Sequence, residues 1–236
     1  MMYSKKYILG PSDSDQNLNA KISTLFVLMQ DIAMEHAEAL NIGKEATMDK
    51  GNMWVITRYS LSINRLPRYL EEITVSTYPG DDMKFIFPRY YEMKDKYGKT
   101  ILTASATWMV LTKATHQVNF NPFSGIKLPT EHHDEEEPLP SKITPEATTL
   151  IDTRKVRNSD VDINNHLNNT RYIEYLTDSH DFDFYRSHEV SHIVLEYKKE
   201  IIINQKVEIY SNQSNPEYIE IKVGEDTCLT ALIEYR

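Results

Sequence analysis

Ser12-Asp13-Ser14-Asp15-Gln16-Asn17 and Ser159-Asp160-Val161-Asp162-Ile163-Asn164 share a serine, two aspartates and an asparagine at one spacing. Each stretch leads into a helix-like segment. Further on, Leu61-Ser62-Ile63-Asn64-Arg65-Leu66 followed by Ile73-Thr74-Val75 matches Leu195-Glu196-Tyr197-Lys198-Lys199-Glu200 followed by Val207-Glu208-Ile209 without a gap. A repeat on this scale implies two similar units built one after the other. The copies diverge where chemistry is concerned: His166 in the second stands against Asn19 in the first, and Glu200 against Leu66. That divergence implies one reaction centre, kept in the back half, with the front half given over to binding.

The elements around these repeats are of the α+β kind. Leu25, Leu28, Met29, Ile32, Ala33, His36 and Ala39 recur at three- and four-residue spacing, which predicts a helix from Lys21 to Leu40 with one apolar stripe. Ser23 or Asn19 is the expected cap, and Asn41 to Gly43 the stop. Strands are expected at Trp54 to Ile63, Glu72 to Tyr78, Phe85 to Asp95 and Thr100 to Leu111, separated by turn residues. A second helix, Leu167 to Asp178, precedes strands at Ile193 to Tyr197, Val207 to Ser211, Tyr218 to Val223 and Thr227 to Tyr235. One helix followed by sequential antiparallel strands, twice over, allows each sheet to curl around its helix. Residues 121–149 are rich in proline and flank the run Glu131-His132-His133-Asp134-Glu135-Glu136-Glu137, which reads as a solvated acidic linker rather than a metal site. The expected division is a front unit at 1–120, a linker at 121–149 and a back unit at 150–236.

Composition narrows the function. The 236 residues carry a formal charge of -9, which argues against a general nucleic-acid binder. No apolar run approaches the ~20 residues of a membrane span, and the start lacks a signal peptide's apolar stretch. The one cysteine, Cys228, leaves no internal disulfide and points to a reducing, cytoplasmic compartment. With seven glycines there is no dinucleotide fingerprint, P-loop or nucleophile elbow, and no H-E-x-x-H or C-x-x-C metal motif. No cofactor and no metal is expected.

What remains is Asp162-Ile163-Asn164-Asn165-His166. In an extended segment Asp162, Asn164 and His166 point to one side. The segment then enters a helix whose first N–H groups are unpaired and can polarise a carbonyl. A carboxylate, a carboxamide and an imidazole at such a place suit acyl transfer or hydrolysis. The same residues also serve as turn and cap formers, so spacing alone leaves a structural role open.

The stretch Arg157-Asn158-Ser159-Asp160-Val161-Asp162-Ile163-Asn164-Asn165-His166-Leu167-Asn168-Asn169-Thr170-Arg171-Tyr172-Ile173 resembles the signature of the acyl-[acyl-carrier-protein] thioesterases of bacteria and plant plastids. Leu195 to Glu200 resembles that family's second block, and Trp54-Val55-Ile56-Thr57-Arg58 a block in its first half. The resemblance implies a tandem hotdog fold and release of free fatty acid from acyl carrier protein during fatty acid biosynthesis. It places the catalytic groups on Asp162, Asn164, His166 and Glu200. Glu200 would serve as general base on water, with a carboxyl pKa raised by burial, while His166 and Asn164 orient water or the carbonyl. Asp162 would hold the network or attack the carbonyl itself. Many plant members carry a cysteine after the glutamate; here that position is Ile201, and Cys228 reads as a core residue.

The acyl chain needs an apolar tunnel, for which Met29, Ile32, Ala33 and Trp54 are the candidates, each also able to serve as plain core. The partner, acyl carrier protein, is acidic. Docking therefore calls for a local basic patch, with Arg154, Lys155, Arg157, Arg171, Lys198 and Lys199 as candidates. The chain is expected as a monomer or homodimer. The competing readings are an acyl-coenzyme A thioesterase, a hotdog dehydratase and a non-catalytic acyl-binding module.

Overall fold

The computed structural model describes residues 2–123, 126, 128–133 and 136–236, so Asp134 and Glu135 of the acidic run lie outside the described residues. The first half runs β1 (Tyr3–Ile8), α1 (Ile22–Ala39), β2 (Asn52–Ile63), β3 (Glu72–Pro79), β4 (Phe87–Asp95) and β5 (Thr100–Thr112). The second runs β6 (Thr149–Lys155), α2 (Asn169–Thr177), α3 (Phe184–Ser187), β7 (Val190–Tyr197), β8 (Lys206–Ser211), β9 (Glu217–Val223) and β10 (Asp226–Tyr235). Two compact units result: Met1–Ala20 with Val27–Pro140, and Lys21–Phe26 with Ser141–Arg236.

Within the first unit the antiparallel strand order is β1-β3-β4-β5-β2; within the second it is β6-β8-β9-β10-β7. The second order is the first with each strand replaced by its counterpart five places on. The edge strands β1 and β6 escape a reading of hydrophobic alternation because most of their residues are exposed. The short α3 also lies outside the expected elements.

In the first unit the helix stripe is buried as its spacing requires: Met29 and Ile32 are fully buried and Ala33 and Ala37 nearly so. Each large apolar side chain removed from water in this way contributes about 1.5–3 kcal/mol. Ser23 does not cap α1 but lies inside it, buried, and Asn19 sits in a bridge to Arg68. On the facing strand β4, Arg89 and Tyr91 are large and buried. Their partners across β5, Ala106 and Ala104, leave room for them.

His36 crosses from α1 to this strand, with its Nδ1 3.1 Å from Arg89 Nη1. Burial, and then the Arg89 guanidinium, push the His36 imidazole down to about 4. At neutral pH the ring is therefore uncharged and Nδ1 accepts the arginine's hydrogen. Glu131 opposes the shift in a minor way. Between pH 6.5 and about 4 the unfolded chain takes up a proton that the folded one refuses. Stability therefore falls as pH drops through that window. Urea unfolding of wild type and His36→Gln across the window measures it; the variant should lose that part of the slope, and an unchanged slope would contradict the assignment.

The expected acidic linker is docked rather than solvated. Glu137 is buried and accepts hydrogen bonds from Ser60 Oγ (2.7 Å) and Thr103 Oγ1 (3.2 Å), while Ser105 Oγ donates to the Pro138 carbonyl (2.6 Å). These partners face away from the helix on alternate strand positions, so the outer face of the sheet fixes the linker. His132 pairs with Asp81 and Glu136, and His133 lies against the Tyr78 ring. Among the described residues no three histidine, cysteine or acidic side chains converge as a metal site, and no helix is long and apolar enough to cross a membrane.

Candidate active site

The Asp162 carboxylate is the hub of a closed loop. Its Oδ1 accepts the N–H groups of Asn164 (2.8 Å) and His166 (3.3 Å), and its Oδ2 accepts from Asn164 Nδ2 (3.4 Å). The Asp162 N–H returns to the His166 carbonyl at 2.8 Å. Asn165 makes the turn at a φ of 63°, a conformation that asparagine tolerates. Val161 then bridges Leu167, and His166 bridges Ile202. The second bridge brings the loop to the segment after β7, where Glu200 stands. His166 Nε2 lies 3.3 Å from Glu200 Oε2, with the side chains 26% and 36% exposed.

The same loop exists in the first unit. Asp15 Oδ1 accepts from Asn17 N–H (2.8 Å) and Asn19 N–H (3.0 Å), and Asp15 N–H donates to the Asn19 carbonyl (2.7 Å). Leu18 turns at φ 60°, Ser14 bridges Ala20, and Asn19 bridges Arg68. Asp15 does all this in a copy that has Asn19 and Leu66 where the other has His166 and Glu200. The aspartate therefore has a folding task in both loops, and the imidazole–carboxylate pair is particular to the second.

Three expectations change. Asp162, Asn164 and His166 do not lie along an extended segment; they are gathered by a loop closed on the aspartate. Helix α2 begins at Asn169, not Leu167, because Asn168 caps it by accepting from Thr170 N–H (3.0 Å) and its hydroxyl (3.0 Å). One of the N–H groups expected to polarise a carbonyl is thus already used. Glu200 is exposed, so the burial expected for it is absent.

Residues 1–120 match the description "Acyl-ACP thioesterase N-terminal domain" and residues 144–231 match "Acyl-ACP thioesterase C-terminal domain". The chain belongs to the acyl-ACP thioesterase family. Among its relatives, the chloroplastic palmitoyl-acyl carrier protein thioesterase of Gossypium hirsutum is 25% identical over 252 residues, spanning 97% of this chain and 59% of that protein. The chloroplastic oleoyl-acyl carrier protein thioesterase 2 of Arabidopsis thaliana is 22% identical over 241 residues, spanning 94% of this chain and 65% of that one. The chain thus spans about three-fifths of the length of these curated relatives. In fold it is similar to an acyl-ACP thioesterase from Bacteroides thetaiotaomicron, with a TM-score of 0.91 at 20% identity over 100% of this chain and 98% of that one. The 12:0-ACP thioesterase from Umbellularia californica gives 0.83 at 18% identity, over 100% and 97%.

In this acyl-ACP thioesterase family chain Cys228 is buried, and burial followed by the nearby Asp226 pushes its thiol up to about 11. At neutral pH it is a protonated core residue and no nucleophile. The basic patch is largely spoken for: Arg154 pairs with Asp152 and Asp178, Arg171 with Glu174, Lys198 with Glu196 and Lys199 with Asp226. Among the described residues Lys155 and Arg157 make no ion pair.

The first unit holds a narrow cleft, partly open to solvent. Of the four side chains expected to line an acyl tunnel, Ala33 and Trp54 do line this cleft, whereas Met29 and Ile32 are buried in the core outside its lining. Trp54 is held by a hydrogen bond from its Nε1 to the Ile42 carbonyl (3.0 Å) and by edge contacts with Phe87 and Trp108. Arg89 also lines the cleft and lies outside the sequence candidates. Its signal was its parity: along β4 it shares a face with Phe87, Tyr91 and Met93, an inward-facing set.

Proposed function

We propose that this chain hydrolyses the thioester that joins a fatty acyl chain to the phosphopantetheine arm of acyl carrier protein, releasing free fatty acid in fatty acid biosynthesis. The observation that carries the reading is the His166–Glu200 pair at 3.3 Å, present in one loop and replaced in its twin. Each unit, an antiparallel sheet with its helix, is read as one hotdog of a tandem pair; the front one takes the acyl chain in its cleft and the back one carries the chemistry. The 121–149 segment is the linker between them.

In the reaction Glu200 takes a proton from water as the oxygen adds to the thioester carbonyl, and His166 and Asn164 orient the participants. The C–S bond breaks, and the proton leaves with the thiolate as free thiol. Asp162 belongs to the scaffold of this site: both of its oxygens already hold the loop, which favours the water route over direct attack by the aspartate. Carrier docking would fall to Lys155 and Arg157.

Release of thiol from acyl-carrier protein and acyl-coenzyme A, compared at one chain length, tests the reading. Carrier thioesters should be the faster substrates. Equal rates would make the chain a coenzyme A thioesterase, and fatty acid binding without thiol release would make it an acyl-binding module.

A further inference from the structure

Arg89 is a charged side chain only 8% exposed, standing in the middle of a sheet. Its Nη1 donates to His36 Nδ1 (3.1 Å) and Thr77 Oγ1 (3.2 Å). Among the described residues nothing accepts from its Nε or Nη2, and no carboxylate pairs with it. A guanidinium remains charged under all ordinary conditions, and taking one out of water is costly unless an acceptor compensates. The uncharged His36 does not balance it. Asp82 also lines the cleft but is exposed and makes no ion pair with Arg89. Arg89 and Trp108 both line the cleft, whose other walls include Ala33, Ala37, Phe87 and Leu128. The cleft therefore combines apolar walls with a fixed cation.

We propose that this cleft takes an aliphatic chain whose inner end bears an acceptor oxygen, received by Arg89. A plain hydrocarbon tail reaching the same place would shut the guanidinium off from water and offer it nothing. Two sources share the chemistry: a free fatty acid entering carboxylate first, or a thioester-bound chain oxygenated at its far end. The proposal takes from the preceding reading only that the cleft admits an aliphatic chain. It is tested by binding and not by turnover, so the two fail separately.

The chain's two tryptophans, Trp54 and Trp108, both line the cleft, so intrinsic fluorescence reports occupancy of this site. In the first arm, decanoate and decane, which has no acceptor oxygen, are titrated into wild type. In the second, S-decyl-pantetheine and S-(ω-hydroxydecyl)-pantetheine, thioethers that cannot be hydrolysed, are compared. A charge-assisted hydrogen bond predicts a preference of about tenfold or more for the oxygenated ligand. Arg89→Met, checked for native circular dichroism, should erase that preference while still binding the ligand that lacks the terminal oxygen. A preference in the first arm identifies free fatty acid as the source; one in the second identifies an oxygenated acyl chain. Absence of any preference in both arms overturns the proposal, as does a preference that survives in folded Arg89→Met. If that variant does not fold, wild type decides: oxygen-dependent binding seen by calorimetry with no change in tryptophan emission would equally overturn it.

Discussion

Glu200→Gln and His166→Ala should each lower kcat on an acyl-carrier substrate by about 10²–10⁴, the range expected when a positioned proton-transfer group is lost. Neither change should alter the fold. Both side chains are partly exposed, and the bridge from His166 to Ile202 is made by backbone that the substitution leaves in place. KM should move little if, as proposed, the pair serves the reacting atoms and not the aliphatic chain. Two groups 3.3 Å apart that serve one proton transfer fail together, so the double variant should be about as slow as the slower single variant. Thiol-release kinetics on the three variants, beside thermal melts, supply the test. Rates within a few-fold of wild type in either single variant would remove the pair from the chemistry, and multiplying effects in the double variant would show that the two act separately.

The duplication was legible because it is written in short polar residues that build the same loop twice. Ser-Asp-x-Asp-x-Asn recurs since each turn needs one aspartate to gather N–H groups two and four residues ahead, and side chains of that length are the ones that reach. The central strands were legible too, being buried on alternate or successive residues. What the sequence hides is of two kinds. The edge strands β1 and β6 bury little, and their pairing with β3 and β8 is made by backbone groups that leave no mark in side-chain type. Long-range polar contacts are hidden for the opposite reason. Glu137 looks like one more residue of an acidic run until Ser60 and Thr103 are seen to bind it, and Arg89 looks like a surface arginine until the alanines across from it show the space it fills. The location of Glu200 falls between these cases. The resemblance brought it to the site, but its exposure depends on the turn after β7.

The twin loops also separate what Asp162 does for folding from what it does for chemistry. Asp15→Ala and Asp162→Ala each remove the acceptor of two backbone N–H groups and leave them in a half-buried loop. Each should cost about 1–3 kcal/mol of stability. Asp15→Ala should cost nothing more, since Asn19 and Leu66 offer no reaction centre. Asp162→Ala should in addition lower kcat by about a hundredfold or more, because the His166 N–H that the carboxylate holds sets where the imidazole stands. Asparagine is the informative replacement. Its side-chain oxygen can still accept both N–H groups, so Asp15→Asn and Asp162→Asn should recover most of the lost stability. If the carboxylate of Asp162 serves as scaffold, Asp162→Asn should also recover kcat to within about tenfold of wild type, in line with loop geometry being the larger contribution. If it attacks the carbonyl, Asp162→Asn would be as slow as Asp162→Ala while melting at nearly the wild-type temperature, because an amide oxygen is no substitute for a carboxylate nucleophile. The loop hydrogen bonds favour the first outcome: a carboxylate already accepting three hydrogen bonds is both oriented away from free attack and weakened as a nucleophile.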